Sequence, residues 1–213
     1  MTLAADKTVA DRQWFIALRW QEYAGEVRVN LLRLLAVGSF YGVQLLEFHW
    51  FAEGNDAAQT LFHQRATAVA VAWTLVALAV MLLLRVRIFS AALKFASATC
   101  DVLLLTALAS LARGPESPLV LGYFLIIAMA ALRFSLHLVW FCTVVSMLAY
   151  LSLVGRVDQS WFDAEHVVPP ATQLLTLLSL AFTGIVTGQT VRSSRSIASE
   201  YSARMRESEE RVG

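Results

Sequence analysis

The residues of this sequence that could do chemistry are polar side chains inside long apolar runs: Asp101, Gln44 and Gln189. Polar groups at membrane depth are costly, so a functional role is the default hypothesis for each of them. Asp101 could respond to protons or cations, or it could hold helices together through hydrogen bonds to Thr99, Thr106 or Gln189. We favour the structural role, with Asp101 as a neutral donor if no cation pairs with it, because a single acid without a visible relay rarely forms a transport path.

A second candidate site comprises His49, His63 and His166, with Glu47 near the first of them, all beside the ends of apolar runs. Three histidines on one side of a membrane could ligate a divalent metal, or two of them could bind haem. These residues come from separate segments and form no spacing motif, and amphipathic side chains beside aromatic residues are common at membrane interfaces. We therefore expect no metal, haem or other cofactor.

Signatures of soluble enzymes are missing from the sequence, which contains no GxxxxGK[ST], GxGxxG, HExxH or GxSxG pattern. Cys100 and Cys142 fall inside apolar runs and form no CxxC pair, so neither a disulfide framework nor a structural zinc site is indicated. No catalytic residue is predicted. Any enzymatic activity would belong to an output domain or a partner protein.

Two pairs of glycines are spaced for close helix contact. Gly38 and Gly42 form one GxxxG motif, and Gly184 and Gly188 form another. Small residues at this spacing let two helix backbones approach closely inside a membrane. Packing within the chain and pairing between two copies are equally good interpretations of both motifs.

The C-terminal segment carries a weak heptad pattern, with Val191, Ala198, Met205 and Val212 at seven-residue intervals. The companion seam positions are Ser194, Tyr201 and Ser208 and are partly polar, which makes the heptad weak. Such a seam suits a marginal parallel contact between two helices that can shift during signalling. The alternative is a charged helix next to the membrane that holds the topology and binds anionic lipid.

The elements that position these residues are helices that cross a membrane. Of 213 residues, 58% are hydrophobic and 15% charged, and the mean hydropathy of +0.61 lies outside the range of soluble proteins. A net charge of +1 lacks the basicity of a nucleic-acid binder, so no nucleic-acid partner is expected. We predict an all-α membrane protein.

Six apolar stretches are predicted to form a six-span bundle, over 31–51, 66–84, 92–112, 118–132, 138–154 and 171–191. In the fourth, Ser117 is expected to act as the N-cap and Pro118 to take the first helical position. Residues 1–30 are predicted to be a cytoplasmic segment with an amphipathic helix at the interface, and 192–213 a cytoplasmic signalling-type helix. The transmembrane domain is thus 31–191.

The distribution of Lys and Arg predicts the orientation. With the N-terminus inside, fourteen basic residues lie in inner segments and only three, Arg65, Arg113 and Arg156, in outer ones. Because cytoplasmic loops retain positive charge, both termini are predicted to be cytoplasmic, in a multi-pass protein of a bacterial inner (plasma) membrane.

The run 117–135, preceded by 100–106, resembles the multi-span input modules of bacterial sensor proteins, and the resemblance extends over about 92–211. In those families a comparable membrane domain precedes a histidine kinase, a diguanylate cyclase, a class III nucleotide cyclase or a protein kinase, joined through a dimeric helix. The chain stops at Gly213 without such a domain. The resemblance therefore implies a membrane fragment of a longer protein, or a free-standing relative whose partner is another chain.

The function expected from these features is sensing and signal transduction. The bundle would pass a conformational signal through the sixth span to a cytoplasmic output domain or partner, with membrane lipid around it and a second copy beside it as a homodimer. One alternative is a small transporter or channel in which Asp101 contacts the ion. Another is a non-catalytic accessory subunit of a larger membrane complex.

Overall fold

The computed structural model describes residues 2–51, 57–86, 90–157 and 168–212, with side chains described over 23–50, 59–86, 90, 92–157 and 168–198. Every element in these ranges is helical. The α-helices are α1 (Thr2–Leu46), α2 (Ala57–Arg85), α3 (Ala91–Leu111), α4 (Leu121–Ala131), α5 (Leu136–Val157) and α6 (Pro170–Val212). A π-helical segment, Glu47–Phe51, extends α1, and two short 3₁₀ turns, Gly114–Glu116 and Pro118–Val120, connect α3 to α4.

Within the described residues, five helices are long and apolar enough to cross a membrane: Tyr23–Trp50, Gln59–Arg85, Ala92–Leu111, Leu136–Val157 and Pro170–Ala198. The predicted fourth span, 118–132, is instead a shorter apolar helix, Pro118–Ala131. Its 14 residues extend only about 21 Å, against about 30 Å of hydrocarbon. The helices are those of a multi-pass membrane protein, with five long spans where the sequence predicted six.

The fourth helix is short because both of its ends are fixed by turns. Ser117 caps the 3₁₀ turn, its hydroxyl accepting a hydrogen bond from the Leu119 amide, and Pro118 follows at the first position, as predicted. At the other end, Phe134 adopts a left-handed φ of 49° and the chain reverses before α5. Most side chains of α4 are buried, which places this short helix in the centre of the bundle.

The first helix is longer than the sequence suggested. It begins at Thr2 and continues without a break through the predicted boundary at residue 30, and the candidate span on this helix, Tyr23–Trp50, includes residues before Leu31. Glu26, Asn30 and Arg33 therefore lie within the candidate span. Each of them is buried.

The order of contacts shows that successive helices alternate in direction. Asn30 meets Ala77 and Tyr41 meets Thr67, so α1 and α2 are antiparallel. Pairs between α3 and α4 and between α5 and α6 are antiparallel in the same way. The N-terminal part of α1 and the C-terminal part of α6 consequently extend from the same end of the bundle, which we call the network end after the residues described next.

Candidate functional site: a buried ionic network

Five charged side chains are buried together toward the network end of the bundle: Glu26, Arg33, Lys94, Asp101 and Arg133. Their exposed fractions lie between 1% and 6%. Two belong to α1, two to α3, and one to the turn between α4 and α5. Three cations thus face two anions in a region shielded from water. Such groups persist at membrane depth only where they are paired.

Asp101 forms the centre of the first group. The Arg33 guanidinium donates through Nε to Oδ1 and through Nη2 to Oδ2 of Asp101, both at 2.6 Å. The indole Nε1 of Trp73 also donates to Oδ1, at 2.8 Å. This planar two-point pairing of arginine with a carboxylate is among the stronger hydrogen-bonded contacts in proteins. It ties α1, α2 and α3 together.

These partners correct the contacts that the sequence suggested for Asp101. Thr99 donates to the Phe95 carbonyl and Thr106 to the Val102 carbonyl, and the Thr106 hydroxyl also lies 2.8 Å from that of Tyr123, so these hydroxyls have partners other than Asp101. Gln189 is exposed on α6. The condition for a neutral Asp101, the absence of a cation, is not met because Arg33 comes from another span. The structural role remains, but it is carried by an ion pair.

Asn30 extends this group to α2. Its Oδ1 accepts from Arg33 Nη1 at 2.8 Å, and its Nδ2 donates to the Ala77 carbonyl at 3.0 Å. Glu26, Asn30 and Arg33 are spaced four and three residues apart, so they share one face of α1. The opposite face of α1 is apolar and exposed, with Leu35 as an example. The polar face of this helix therefore points into the bundle, and its apolar face lies on the bundle surface, as expected for a helix in contact with lipid.

Arg133 forms the centre of the second group. Its Nε lies 3.2 Å from Glu26 Oε1, its Nη1 donates to the Lys94 carbonyl at 2.8 Å, and its Nη2 donates to Ser97 Oγ at 3.1 Å. This residue of the turn after α4 is thus bound both to α1 and to the start of α3. Glu26 lies seven residues before Arg33 on α1, and Lys94 seven before Asp101 on α3, which is about 10 Å along each helix. The Arg133 group is therefore nearer the end from which α1 and α6 extend.

A glycine permits this contact between α1 and the turn after α4. A Cβ placed on Gly25 would lie 2.6 Å from the Leu132 carbonyl oxygen, closer than side chains tolerate. On its other side, the turn contacts α6, because the Arg195 guanidinium donates to the Phe134 carbonyl. The turn at 132–135 therefore lies between α1 and α6.

The rings of His49 and His63 pack with other aromatic rings. The rings of His49 and His63 have centroids 6.5 Å apart, and His63 stacks on Phe48 at 4.1 Å. Glu47 is exposed, and His166 lies outside the described residues. No group of three or more His, Cys, Asp or Glu side chains in the described part of the chain is arranged to hold a metal ion.

The two glycine motifs have different surroundings. A Cβ on Gly184 would lie 2.6 Å from Thr143 Cγ2, and one on Gly188 would lie 3.3 Å from Leu136 Cδ1, so this motif packs α6 against α5. A Cβ on Gly38 or Gly42 would have no neighbour within 4 Å. The motif of α1 is thus open on the bundle surface.

The residues of the proposed seam also differ in their surroundings. Val191 belongs to the hydrophobic core of its own chain, whereas Ala198 is exposed. Met205 and Val212 lie on α6, and their side chains are outside the described part. Any pairing between copies along this seam would therefore begin beyond Val191. Gln44, the remaining polar residue of interest, is half-buried and lines a cavity.

The sequence indicates Asp101 as a candidate but does not indicate its partners. The charge distribution alone predicts inner segments for Arg33, Lys94 and Arg133, and a segment at the interface for Glu26. The available signal was the spacing of Glu26, Asn30 and Arg33 on one face of an otherwise apolar helix. Gly25 gave no comparable signal, because its role depends on a neighbour more than a hundred residues away.

Comparison with protein-family models, curated proteins and solved structures finds no match.

Proposed function

We propose that the protein is a membrane sensory module that transmits a conformational change from its bundle, through α6, to a cytoplasmic output domain or partner protein. The observation that carries this proposal is the position of the turn at 132–135. Glu26 holds the turn to α1 through Arg133, and Arg195 holds it to α6 at Phe134. A change in the packing of α1 would therefore reach α6 at Arg195, beyond the core residue Val191.

The length of α6 supports the same proposal. The helix contains 43 residues, which gives about 64 Å, roughly twice the hydrocarbon thickness of a bilayer. A rigid helix that continues beyond the membrane transmits rotation or translation without a hinge. Signalling then requires two packings of the bundle that differ by a few kcal/mol, with the cue favouring one of them.

We further propose that two copies pair along Ala198, Met205 and Val212, and that both termini are cytoplasmic in an inner membrane. The seam residues share one face at seven-residue spacing, which favours a parallel two-helix contact. The excess of Lys and Arg in the segments at the network end favours that end as the cytoplasmic one.

The transporter alternative is less well supported. An ion pathway through Asp101 needs a carboxylate that can release its partners, whereas both oxygens accept hydrogen bonds from Arg33 and one accepts from Trp73 as well. Gln44 and Gln189 do not extend this site into a polar path, since Gln189 is exposed and Gln44 lines a separate cavity.

A fusion experiment tests the proposal. A cyclase domain that is active only as a parallel dimer would be joined in frame after Gly213, and its product measured in cells. We expect Arg195→Ala to change the activity of the fusion, because this change releases α6 from the turn. Arg192→Ala, an exposed arginine on the same helix, is the matched control and should leave the activity unchanged. Equal effects of the two substitutions at equal protein levels would contradict the proposal.

A further inference from the structure

A cavity of about 70 Å³ lies between α1, α2 and α3. Its lining is mainly apolar and includes Ala66, Ala70 and Leu105. This volume is about half that of an engineered apolar cavity, roughly 150 Å³, that binds benzene. The cavity is therefore large enough for a short chain or small group of several atoms, and it is partly open at the bundle surface.

One polar group in the lining has no partner. The side-chain amide of Gln44 makes no hydrogen bond to the residues that the structure describes, whereas the hydroxyl of Tyr41, the other polar lining group, lies 3.0 Å from Thr67 Oγ1. Gln44 is half-buried, and a molecule in the cavity with a complementary group would form a hydrogen bond with this amide. The cavity thus combines apolar walls with a single polar position.

The cavity is also connected to the ionic network. Trp73 is one of the residues that line it, and its indole N–H donates to Asp101, at 2.8 Å. An occupant that shifted this ring would alter a hydrogen bond to the carboxylate that pairs with Arg33. Occupancy of the cavity would then bias the packing of α1 against α3.

We propose that this cavity binds a small, mostly apolar molecule bearing one hydroxyl or carbonyl group, with Gln44 bonding that group and the apolar part against Ala70 and Trp73. Such a molecule partitions into the membrane and reaches the cavity from its open side. Binding rests on the cavity alone, while its use as the signalling cue rests on the function proposed above.

The test uses the purified full chain in lipid nanodiscs with 1-butanol as the probe. For each protein we measure how far 1-butanol shifts the melting temperature. Because Ala70→Leu fills the cavity, we expect the shift of the parent to be about 2 °C more positive than that of Ala70→Leu. Ala68→Leu is the matched control, because Ala68 is exposed two residues away on the same helix. It should behave as the parent does. Ala70→Val repeats the test if Ala70→Leu does not accumulate.

A second arm tests the polar position. n-Pentane has the same number of heavy atoms as 1-butanol and no hydroxyl, so its effect on the parent should be weaker than that of the alcohol. Gln44→Leu should remove this preference. An equal temperature change in the parent, Ala70→Leu and Ala68→Leu would overturn the proposal, as would an alcohol preference that survives in Gln44→Leu.

A third arm separates the cavity from the proposed function. Crosslinking of a cysteine at Ala198, on a background lacking Cys100 and Cys142, is measured with and without 1-butanol. A change that depends on Ala70 supports both proposals. Binding without any change in crosslinking supports the cavity and contradicts its role in signalling.

Discussion

Asp101 and Arg33 hold α1 against α3 by two charged hydrogen bonds in a region that excludes water. A buried ion pair adds little net stability over well-packed apolar residues, because removing both charges from water is costly. Replacing only one partner is strongly destabilising, because the other charge is then buried without a partner. The pair therefore fixes which helices meet more than it strengthens their contact.

This asymmetry predicts the behaviour of substitutions at Asp101. Asp101→Asn keeps an acceptor for Trp73 but leaves Arg33 unpaired, so it should lower the free energy of unfolding by about 3 kcal/mol or more. Adding Arg33→Met removes the orphaned charge and should restore most of the loss. Unfolding in mixed micelles by a denaturing detergent measures both. If Asp101→Asn alone proved neutral, the carboxylate would not be acting as a charged partner.

Gly25 makes a second prediction at the residue scale. Gly25→Ala places a methyl group 2.6 Å from the Leu132 carbonyl oxygen, which forces α1 away from the turn and lengthens the contact between Glu26 and Arg133. We expect a loss of about 1 to 3 kcal/mol in the same unfolding assay. Gly42→Ala, which meets nothing within 4 Å, is the control and should be neutral or slightly stabilising. Similar losses at both positions would contradict this account of Gly25.

At the scale of elements, α5 and α6 meet through Gly184 and Gly188, so the second GxxxG motif joins helices of one chain. The core position of Val191 continues this contact toward the network end. Two sequence motifs of the same form thus have different roles, because one faces a neighbouring helix and the other faces outward. Spacing alone did not distinguish them.

Substitution of Gly184 tests the packing of these two helices. Gly184→Ala would overlap the side chain of Thr143, including Cγ2 at 2.6 Å, and should destabilise the bundle by about 1 to 3 kcal/mol. Thr143→Ala removes the overlapping atoms and should recover part of the loss in the double variant. Gly38→Ala provides the matched comparison from the open motif. If the double variant recovers no stability, the loss in Gly184→Ala does not come from overlap with Thr143.

The elements themselves were largely predictable from the sequence, since apolar length and turn residues determine helices in a membrane. The division of the run 118–154 near Arg133 agrees with the turn at 132–135. Two features were not predictable. The length of α1 was obscured by Glu26 and Arg33, which are polar yet lie within its candidate span, and α4 was shortened by turns on both sides.

At the scale of the whole molecule, the buried network reduces the number of cations that can indicate the membrane topology. Three of the fourteen cations assigned to inner segments, Arg33, Lys94 and Arg133, are buried in the bundle. Eleven remain against three in the outer segments, so the asymmetry persists. The two long helices α1 and α6 extend from the end that carries this excess.

Reporter fusions test that orientation. A reporter active only in the cytoplasm should work after Gly213, and a reporter active only after export should work at Asp158, which lies outside the described residues. The physical reason is the retention of Lys and Arg on the cytoplasmic side during insertion. An exported reporter that is active after Gly213 would reverse the topology and with it the proposed location of the output.

The site was less predictable than the fold. Asp101 was identifiable as a single acid in an apolar run, but its partner Arg33 lies 68 residues away in another helix. A sequence gives the spacing of residues along one helix and not which faces of different helices meet. For the same reason, the sequence did not predict that the turn at 132–135 contacts both α1 and α6. The proposed function depends on these two contacts.

A disulfide scan along α6 tests whether the ionic network is coupled to a paired exit helix, with single cysteines from Ala198 to Val212 on a background lacking Cys100 and Cys142. We expect crosslinking between copies that peaks at Ala198 and Met205 and is weak at Arg206, because only seam positions of a two-helix contact approach within disulfide range. We also expect Glu26→Gln, which removes the charged partner of Arg133, to alter the strength or phase of this pattern. Uniform crosslinking without a seven-residue period, or a pattern unaffected by Glu26→Gln, would contradict coupling of the ionic network to a paired exit helix.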